Sequence, residues 1–422
     1  MACPHQVSID VIRSKSLQEI ITEKTNAANI ENEDDPFYLV DISDVINKYK
    51  TLFFKVFFIT HIFLTAMKSN PDFQIAATLC GLGTGLDVAS AGEIETAVAV
   101  GLKDEDVIYS NTCKGISHLK VAAKENLTQM TFDSEVELHR IKRLYPSARL
   151  VLRLLVDDSH SELKLGVKAG ASFSRVPHLL KVAKELGLNV IGTSFHVGSE
   201  CGSPDAYAKA IENSRRVFDI AKGLGMKFNL LDIGGGYPGQ INELFTNISR
   251  IINKALDIHF PSDSGVRIIS EPGQYFSCSS SILVANIISK RIRFEDDDIQ
   301  IEGYPSDKEN MEITYHINEG VIGAFISKLI INLLYIPKKL IKSNEKCYRS
   351  SMWGPTCTPV DQILSDYNIP EMEVGEWVYY ENLGAYSSGL ATDFNGFKCK
   401  KKYYFINEKD WYDTFIAIPS CM

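Results

Sequence analysis

Two short runs in this chain could do chemistry together. Residues 231–236 read Leu-Asp-Ile-Gly-Gly-Gly, and Ser-Glu-Pro-Gly follows at 270–273. Each reads as a short apolar strand that stops abruptly in loop residues. The glycines expose bare backbone N–H groups that can close around a phosphate. The second run ends in a carboxylate, Glu271, held before a rigid Pro-Gly turn. A lone run of three glycines is more often an ordinary flexible loop. A phosphate cradle and a carboxylate on two strand ends instead suit a phosphorylated aromatic cofactor. Pyridoxal 5'-phosphate fits the pattern: glycines for its phosphate, a carboxylate for its ring nitrogen and a lysine for its aldehyde.

Such a site needs elements to position it, and they are legible. From about residue 63 short apolar strands alternate with helical stretches. The strands are predicted at 63–68, 84–89, 106–110, 129–132, 149–154, 190–196, 228–233 and 267–271. Helices are predicted between them, as at 91–101, 134–144 and 177–187, with apolar residues at i, i+3 and i+4. Eight βα units predict a (β/α)8 barrel, with an open doubly wound sheet as the alternative. Barrel chemistry sits at the C-terminal strand ends. Read in order, those ends supply Lys68, Asp87, Asn111, Asp133, Arg153, His196, Gly234 and Glu271. Any one of these is more often a solvated loop residue; the set together points to a site.

After residue 275 apolar β-formers alternate with polar residues, as at 281–292, 312–318, 375–382 and 400–406, which predicts antiparallel sheet. Residues 36–41 form another predicted strand, and the acidic stretch 294–311 a surface loop. The expected organisation is an N-terminal segment, 1–44, joining the β domain; a cofactor-binding barrel, 45–280; and a mostly antiparallel β-sandwich, 281–422.

Bulk composition narrows the class. The chain has 422 residues, 45% hydrophobic and 23% charged, as in a soluble globular protein of two domains. A net charge of −9 argues against nucleic acid or an anionic membrane as partner. The nine cysteines show no spacing that suits a metal, so reduced thiols in the cytoplasm and no metal site are expected. The apolar stretch 52–67 is broken by Lys55 and His61. It falls short of the roughly 20 apolar residues of a spanning helix. The N-terminus carries no signal-peptide pattern.

The motifs resemble those of the fold-type III pyridoxal phosphate decarboxylases, specifically the ornithine decarboxylase and antizyme inhibitor family. The resemblance runs from about residue 36 to 415. It is carried by AMKSN at 66–70, FDSEVEL at 132–138, SFHVGS at 194–199, LDIGGGYPG at 231–239, FPSDSGVRIISEPG at 260–273, WGPTC at 353–357 and ENLGAY at 381–386. It implies a homodimer with shared active sites, each built from a barrel and a β domain. It implies that Lys68 joins the cofactor aldehyde, Glu271 holds the ring nitrogen protonated and His196 stacks on the ring. Ser199, Gly235, Gly236 and Tyr386 would bind the phosphate. Cys357, from the other subunit, would return a proton to the substrate carbon after CO2 leaves. Asp87, Glu93 and Arg153 would surround the lysine and cofactor, and Lys168 and Asp361 would pair across the dimer interface.

Three departures from the family matter. Gln274 stands where the family's decarboxylases place an arginine on the phosphate, so weaker cofactor binding is expected. Ile330, Ile331 and Thr358 stand where the ornithine-specific enzymes have a Tyr-Asp pair and a second aspartate, which implies a substrate pocket for an aliphatic tail. In the stretch matching the antizyme-binding element, 117–142, Lys124 and His139 replace uncharged residues, and the chain ends at Met422 without the family's long degradation-targeting extension. Antizyme binding stays an open alternative. The expected activity is decarboxylation of an apolar aliphatic L-amino acid, best L-leucine. The alternative is a non-catalytic regulator of the antizyme-inhibitor kind.

Overall fold

The computed structural model describes residues 8–53, 61–294, 311–340, 346–397, 399 and 401–416. The acidic stretch expected as a loop lies almost wholly outside them, as does the middle of the apolar stretch 52–67. The latter is described on either side, as the helix Ile42–Thr51 and the strand His61–Ala66.

The chain divides into two compact units. Asp44–Cys278 form one; residues up to Ser43 with Ser279–Asp413 form the other. The first is a closed barrel of eight parallel strands: His61–Ala66, Gly85–Val88, Val107–Tyr109, Gln129–Phe132, Arg149–Arg153, Asn189–Ser194, Leu230–Asp232 and Arg267–Ser270. The eighth pairs with the first, Ile268 opposite His61, and closes the ring. Every strand coincides with a predicted one, so the barrel holds and the open-sheet alternative falls.

Alternation along the strands sets two cores. Leu64, Ile108, Val151, Ile191, Leu230 and Ile269 meet one another as a small cluster drawn from strands alone, the filling of the barrel. Their neighbours, such as Val107, Tyr109, Leu150 and Leu152, face the other way. They join a much larger cluster with helix residues Leu119, Leu138, Leu179 and Val217. The helices present one apolar stripe each, and Ser90, Asp72 and Asn242 cap three of them by accepting backbone N–H groups. Two short strands outside the ring, Ser161–Leu163 and Ser199–Cys201, pair antiparallel near the strand ends.

The second unit is a nine-stranded sheet. Its long strand Ser281–Phe294 pairs antiparallel with Phe37–Asp41, Met311–Ile317 and Trp377–Tyr380. The sheet is more mixed than expected. Ile9–Ile12 with Lys401–Asn407, Lys401–Asn407 with Phe37–Asp41, and Met311–Ile317 with Cys347–Trp353 run parallel. The helix Leu17–Glu31 packs Ile20, Ile21 and Ala28 against Phe37, Leu39, Ile282, Val284 and Trp377. Ser16 and Glu19 start it with a reciprocal capping box.

Candidate active site

The C-terminal strand ends of the barrel gather a dense set of ionisable groups. Lys68, one turn past the first strand, places Nζ 3.2 Å from Asp87 Oδ2 at the end of the second. Asp87 is buried, and Ser110 donates its hydroxyl to the other oxygen. The lysine amine is thus held in place by a fixed carboxylate. Glu93 lies close by. Its carboxylate accepts from Ala89 N at 2.5 Å, and burial raises its pKa.

Across the barrel end sits a pair of buried carboxyls. Burial, reinforced by the charges of Asp232 and Asp87, pushes Glu271 well above the usual carboxylate range. Asp232, hydrogen-bonded to it, is pushed up to about 7, again chiefly by burial. The two groups share a proton, because two buried like charges in contact cannot both ionise. Asp232 also accepts from Gly234 N at 2.9 Å and so shapes the start of the glycine loop.

His196 completes this end. Burial pushes its pKa well below the ordinary histidine value, and the positive charges of Lys68 and Arg153 push the same way. The imidazole is therefore neutral. Its Nδ1 accepts from Gly198 N at 3.1 Å, which leaves the ring hydrogen on Nε2. A Cβ on Gly235 would come 3.1 Å from that Nε2 and 2.6 Å from Glu271 O. Gly236 has φ +98°, and a Cβ there would lie 2.4 Å from Gly198 O. Only bare backbone fits in this cradle.

This chemistry fits pyridoxal phosphate. Two carboxyls sharing a buried proton suit a ring nitrogen that is to be held protonated. A flat neutral imidazole suits stacking, an ion-paired lysine suits an aldehyde, and a side-chain-free loop suits a phosphate.

Other expected residues fall elsewhere. Asn111 accepts from Cys113 N at 3.0 Å in a local turn, and Asp133 accepts from Gly170 N at 2.8 Å, tying two distant loops together. Gln274 donates an amide hydrogen to Glu200, so that hydrogen does not point to a phosphate. Cys357, Thr358, Ile330, Ile331 and Tyr386 all belong to the sheet unit. Cys357 is exposed, and its backbone N–H bonds Asn395 Oδ1 at 3.0 Å. Tyr386 adopts a left-handed φ of 50°, and its carbonyl accepts from Ser327 Oγ at 3.1 Å.

Asp361 is held tightly within the sheet unit. It is fully buried and accepts from Val321 N at 2.6 Å, Thr356 N at 2.9 Å and Thr356 Oγ1 at 2.5 Å. Gly320 and Gly354 press on it so closely that a Cβ on either would come within 2.4 and 2.5 Å of Oδ1. So enclosed, Asp361 fixes a turn of its own unit, while Lys168 is exposed.

Two site residues escape the motif reading. Asp232 is hidden inside an apolar strand, yet an aspartate just before three glycines is a visible signal. Glu200 stands one residue past the Gly-Ser of the SFHVGS run.

Comparison with known proteins agrees with the geometry. Residues 42–278 match the family described as pyridoxal-dependent decarboxylase, pyridoxal binding domain. The chain belongs to this family of pyridoxal-dependent decarboxylases, and its cofactor is pyridoxal phosphate. Within it, the chain is 41% identical over 400 residues to mouse ornithine decarboxylase, covering 93% of this chain and 86% of that one. It is 40% identical to antizyme inhibitor 2 of Xenopus laevis, with the same coverage. Among solved structures, the arginine decarboxylase of Paramecium bursaria Chlorella virus superposes with a TM-score of 0.82 at 32% identity, over 92% of this chain and all of that one. No helix among the described residues is long and apolar enough to cross a membrane.

Proposed function

We propose that this chain decarboxylates an L-amino acid with an apolar aliphatic side chain, best L-leucine, to the primary amine and CO2. The carrying observation is the chemistry of the segment expected to meet the substrate tail. Ile330 and half-buried Ile331 end a short helix, Ser327–Ile331, and Ile330 and the following Leu333, Leu334 and Ile336 are each at least 40% exposed. Thr358 adds a hydroxyl and no charge. A terminal ammonium buried here would lack a carboxylate from these positions, at a cost of several kcal/mol. An aliphatic tail would gain about 0.8 kcal/mol per buried CH2.

When bound, pyridoxal phosphate supplies an aldehyde for the substrate amine and a protonated ring that withdraws electrons from the bond to be broken. The protein's own groups do the rest. Lys68, oriented by Asp87, would be the residue that holds the aldehyde end of the cofactor. Glu271 and Asp232 hold the proton on the ring nitrogen. His196, a neutral imidazole, would stack on the ring and shield it from water. Gly235, Gly236, Ser199 and Tyr386 bind the phosphate, and Arg153 adds positive charge beside the site. The thiol of Cys357 of the partner subunit returns the proton to the substrate carbon. We place this homodimer in the cytoplasm, where exposed thiols such as Cys113, Cys347 and Cys357 stay reduced.

The test is CO2 release by the purified protein with pyridoxal phosphate, offered each amino acid in turn. Leucine should be turned over well, shorter aliphatics less, and ornithine and lysine at least about a hundredfold less. Lys68→Ala should abolish turnover. Preference for ornithine over every apolar amino acid would overturn the pocket. A second reading, a non-catalytic regulator, draws on the 40% identity to antizyme inhibitor 2. It predicts no CO2 from any amino acid, and antizyme binding instead.

A further inference from the structure

Glu200 has an environment that the decarboxylase chemistry does not use. It carries a side chain at φ +51°, in the left-handed region that favours glycine. Its strand, Ser199–Cys201, lies against the glycine loop: Cys201 N donates to Gly236 O at 3.3 Å, and Gly236 crowds Gly198. On the other side Gln274 donates its amide to the Glu200 carboxyl. Gln274 itself borders the end of the same loop, its Cγ 3.7 Å from where a Gly239 Cβ would stand. Glu200 thus sits on a strand bonded to the loop at 235–239, and its carboxyl is bonded to Gln274, which borders the same loop.

The surrounding charges offer Glu200 little relief. Glu162, on the paired strand, adds a second negative charge, and burial opposes ionisation; only the Gln274 bond favours it. Tyr207 and Cys278, which also feel the Glu200 charge, are themselves held neutral by burial. The nearby cation of Lys48 is committed to Gly239 O at 2.9 Å and lies 3.7 Å from Asp44.

We propose that Glu200 guards the phosphate end of the cofactor cradle by charge. Ionised, it repels a phosphate dianion and ties up the Gln274 donor; the phosphate enters together with a proton taken up by Glu200. The site therefore distinguishes pyridoxal phosphate from phosphate-free pyridoxal only weakly, and less as pH rises. This rests on the reading of Gly235, Gly236 and Ser199 as the phosphate cradle.

The test is binding, followed by cofactor absorbance on the full chain stripped of cofactor. Pyridoxal phosphate and pyridoxal are titrated separately between about pH 6 and about pH 8.5. Wild-type affinity for the phosphorylated form should fall with pH more steeply than that of Glu200→Gln. At the alkaline end Glu200→Gln and Glu200→Gly should each bind it roughly tenfold tighter or more. Their affinity for pyridoxal should match wild type. The glycine variant suits the left-handed backbone, so it separates lost charge from lost folding. Wild-type affinity and pH slope in both variants would overturn the proposal, as would equal tightening of both ligands. Failure of every protein to bind pyridoxal, or undiminished binding by Lys68→Ala, would instead overturn the cofactor-site reading beneath it.

Discussion

The carboxyl pair Asp232–Glu271 sets a measurable property of the protein at the scale of single residues. Both groups are buried, and burial raises both pKa values. For Asp232 the shift runs from 3.8 to about 7. Between those values the folded protein keeps a proton that the unfolded chain has released. Stability therefore falls as pH rises through that window and levels off above it. Glu271, pushed well above the usual carboxylate range chiefly by burial, adds a change of the same sign. Melting of the cofactor-free full chain should occur at lower temperature at about pH 7 than at about pH 5, and Asp232→Asn should flatten that slope. Asparagine keeps the acceptor for Gly234 N and removes the charge that raises Glu271. Parallel profiles for the two proteins would refute the shared-proton account. Cofactor addition should flatten the wild-type slope too, because a ring nitrogen that takes the proton relieves both carboxyls.

At the scale of elements, the barrel was legible because its strands carry their own punctuation. Leu230–Asp232 is a short apolar run cut off by glycine, and Gln129–Phe132 is closed by an aspartate and a helix cap. What escaped has physical reasons. The pair Ser161–Leu163 and Ser199–Cys201 is three residues a strand and forms only through long-range pairing, so no local period marks it. The strand Gln362–Pro370 exposes a polar run, Ser365 to Asn368, and reads as loop until its partner Cys347–Trp353 is present. The helix Leu17–Glu31 had a readable start in its Ser16–Glu19 box, but its weak amphipathic stripe hid the rest. Site residues on strand ends were readable for the same reason as the strands. Glu200 was not, because its role comes from Gln274, 74 residues away. The barrel filling gives the prediction at this scale. Ile108 is fully buried among five other strand residues, with no helix to collapse onto it. Ile108→Ala should cost about 2–5 kcal/mol in urea unfolding. A loss well below 1 kcal/mol would mean that the ring closes over the gap.

The whole molecule poses the question of how chemistry spread over two units comes together. Lys68, Asp87, His196 and Glu271 belong to the barrel unit; Cys357, Thr358, Ile330 and Tyr386 belong to the sheet unit. The sheet unit also leaves Leu329, Leu333, Leu334, Val360 and Phe394 exposed, each by 43% or more. Isolated apolar side chains on a surface are ordinary, but several within the stretch 329–336 are a patch that favours a cover. The homodimer proposed above would cover this patch with a second copy of the chain, and in it Cys357 and Lys68 would act from different subunits. The expectation follows from counting sites. Lys68→Ala removes the anchor from one kind of subunit, and Cys357→Ala removes the proton donor from the other, so each pure variant is inactive. A mixed dimer pairs one damaged site, carrying both changes, with one intact site. At equal mixing about half of the dimers are mixed, each with one of two sites working, so activity should return to roughly a quarter of wild type. Subunit exchange, followed by labelling the two variants differently, must be complete when activity is read. Exchange without recovered CO2 release would show that each subunit builds its site alone, and that Cys357 and Lys68 act within one chain.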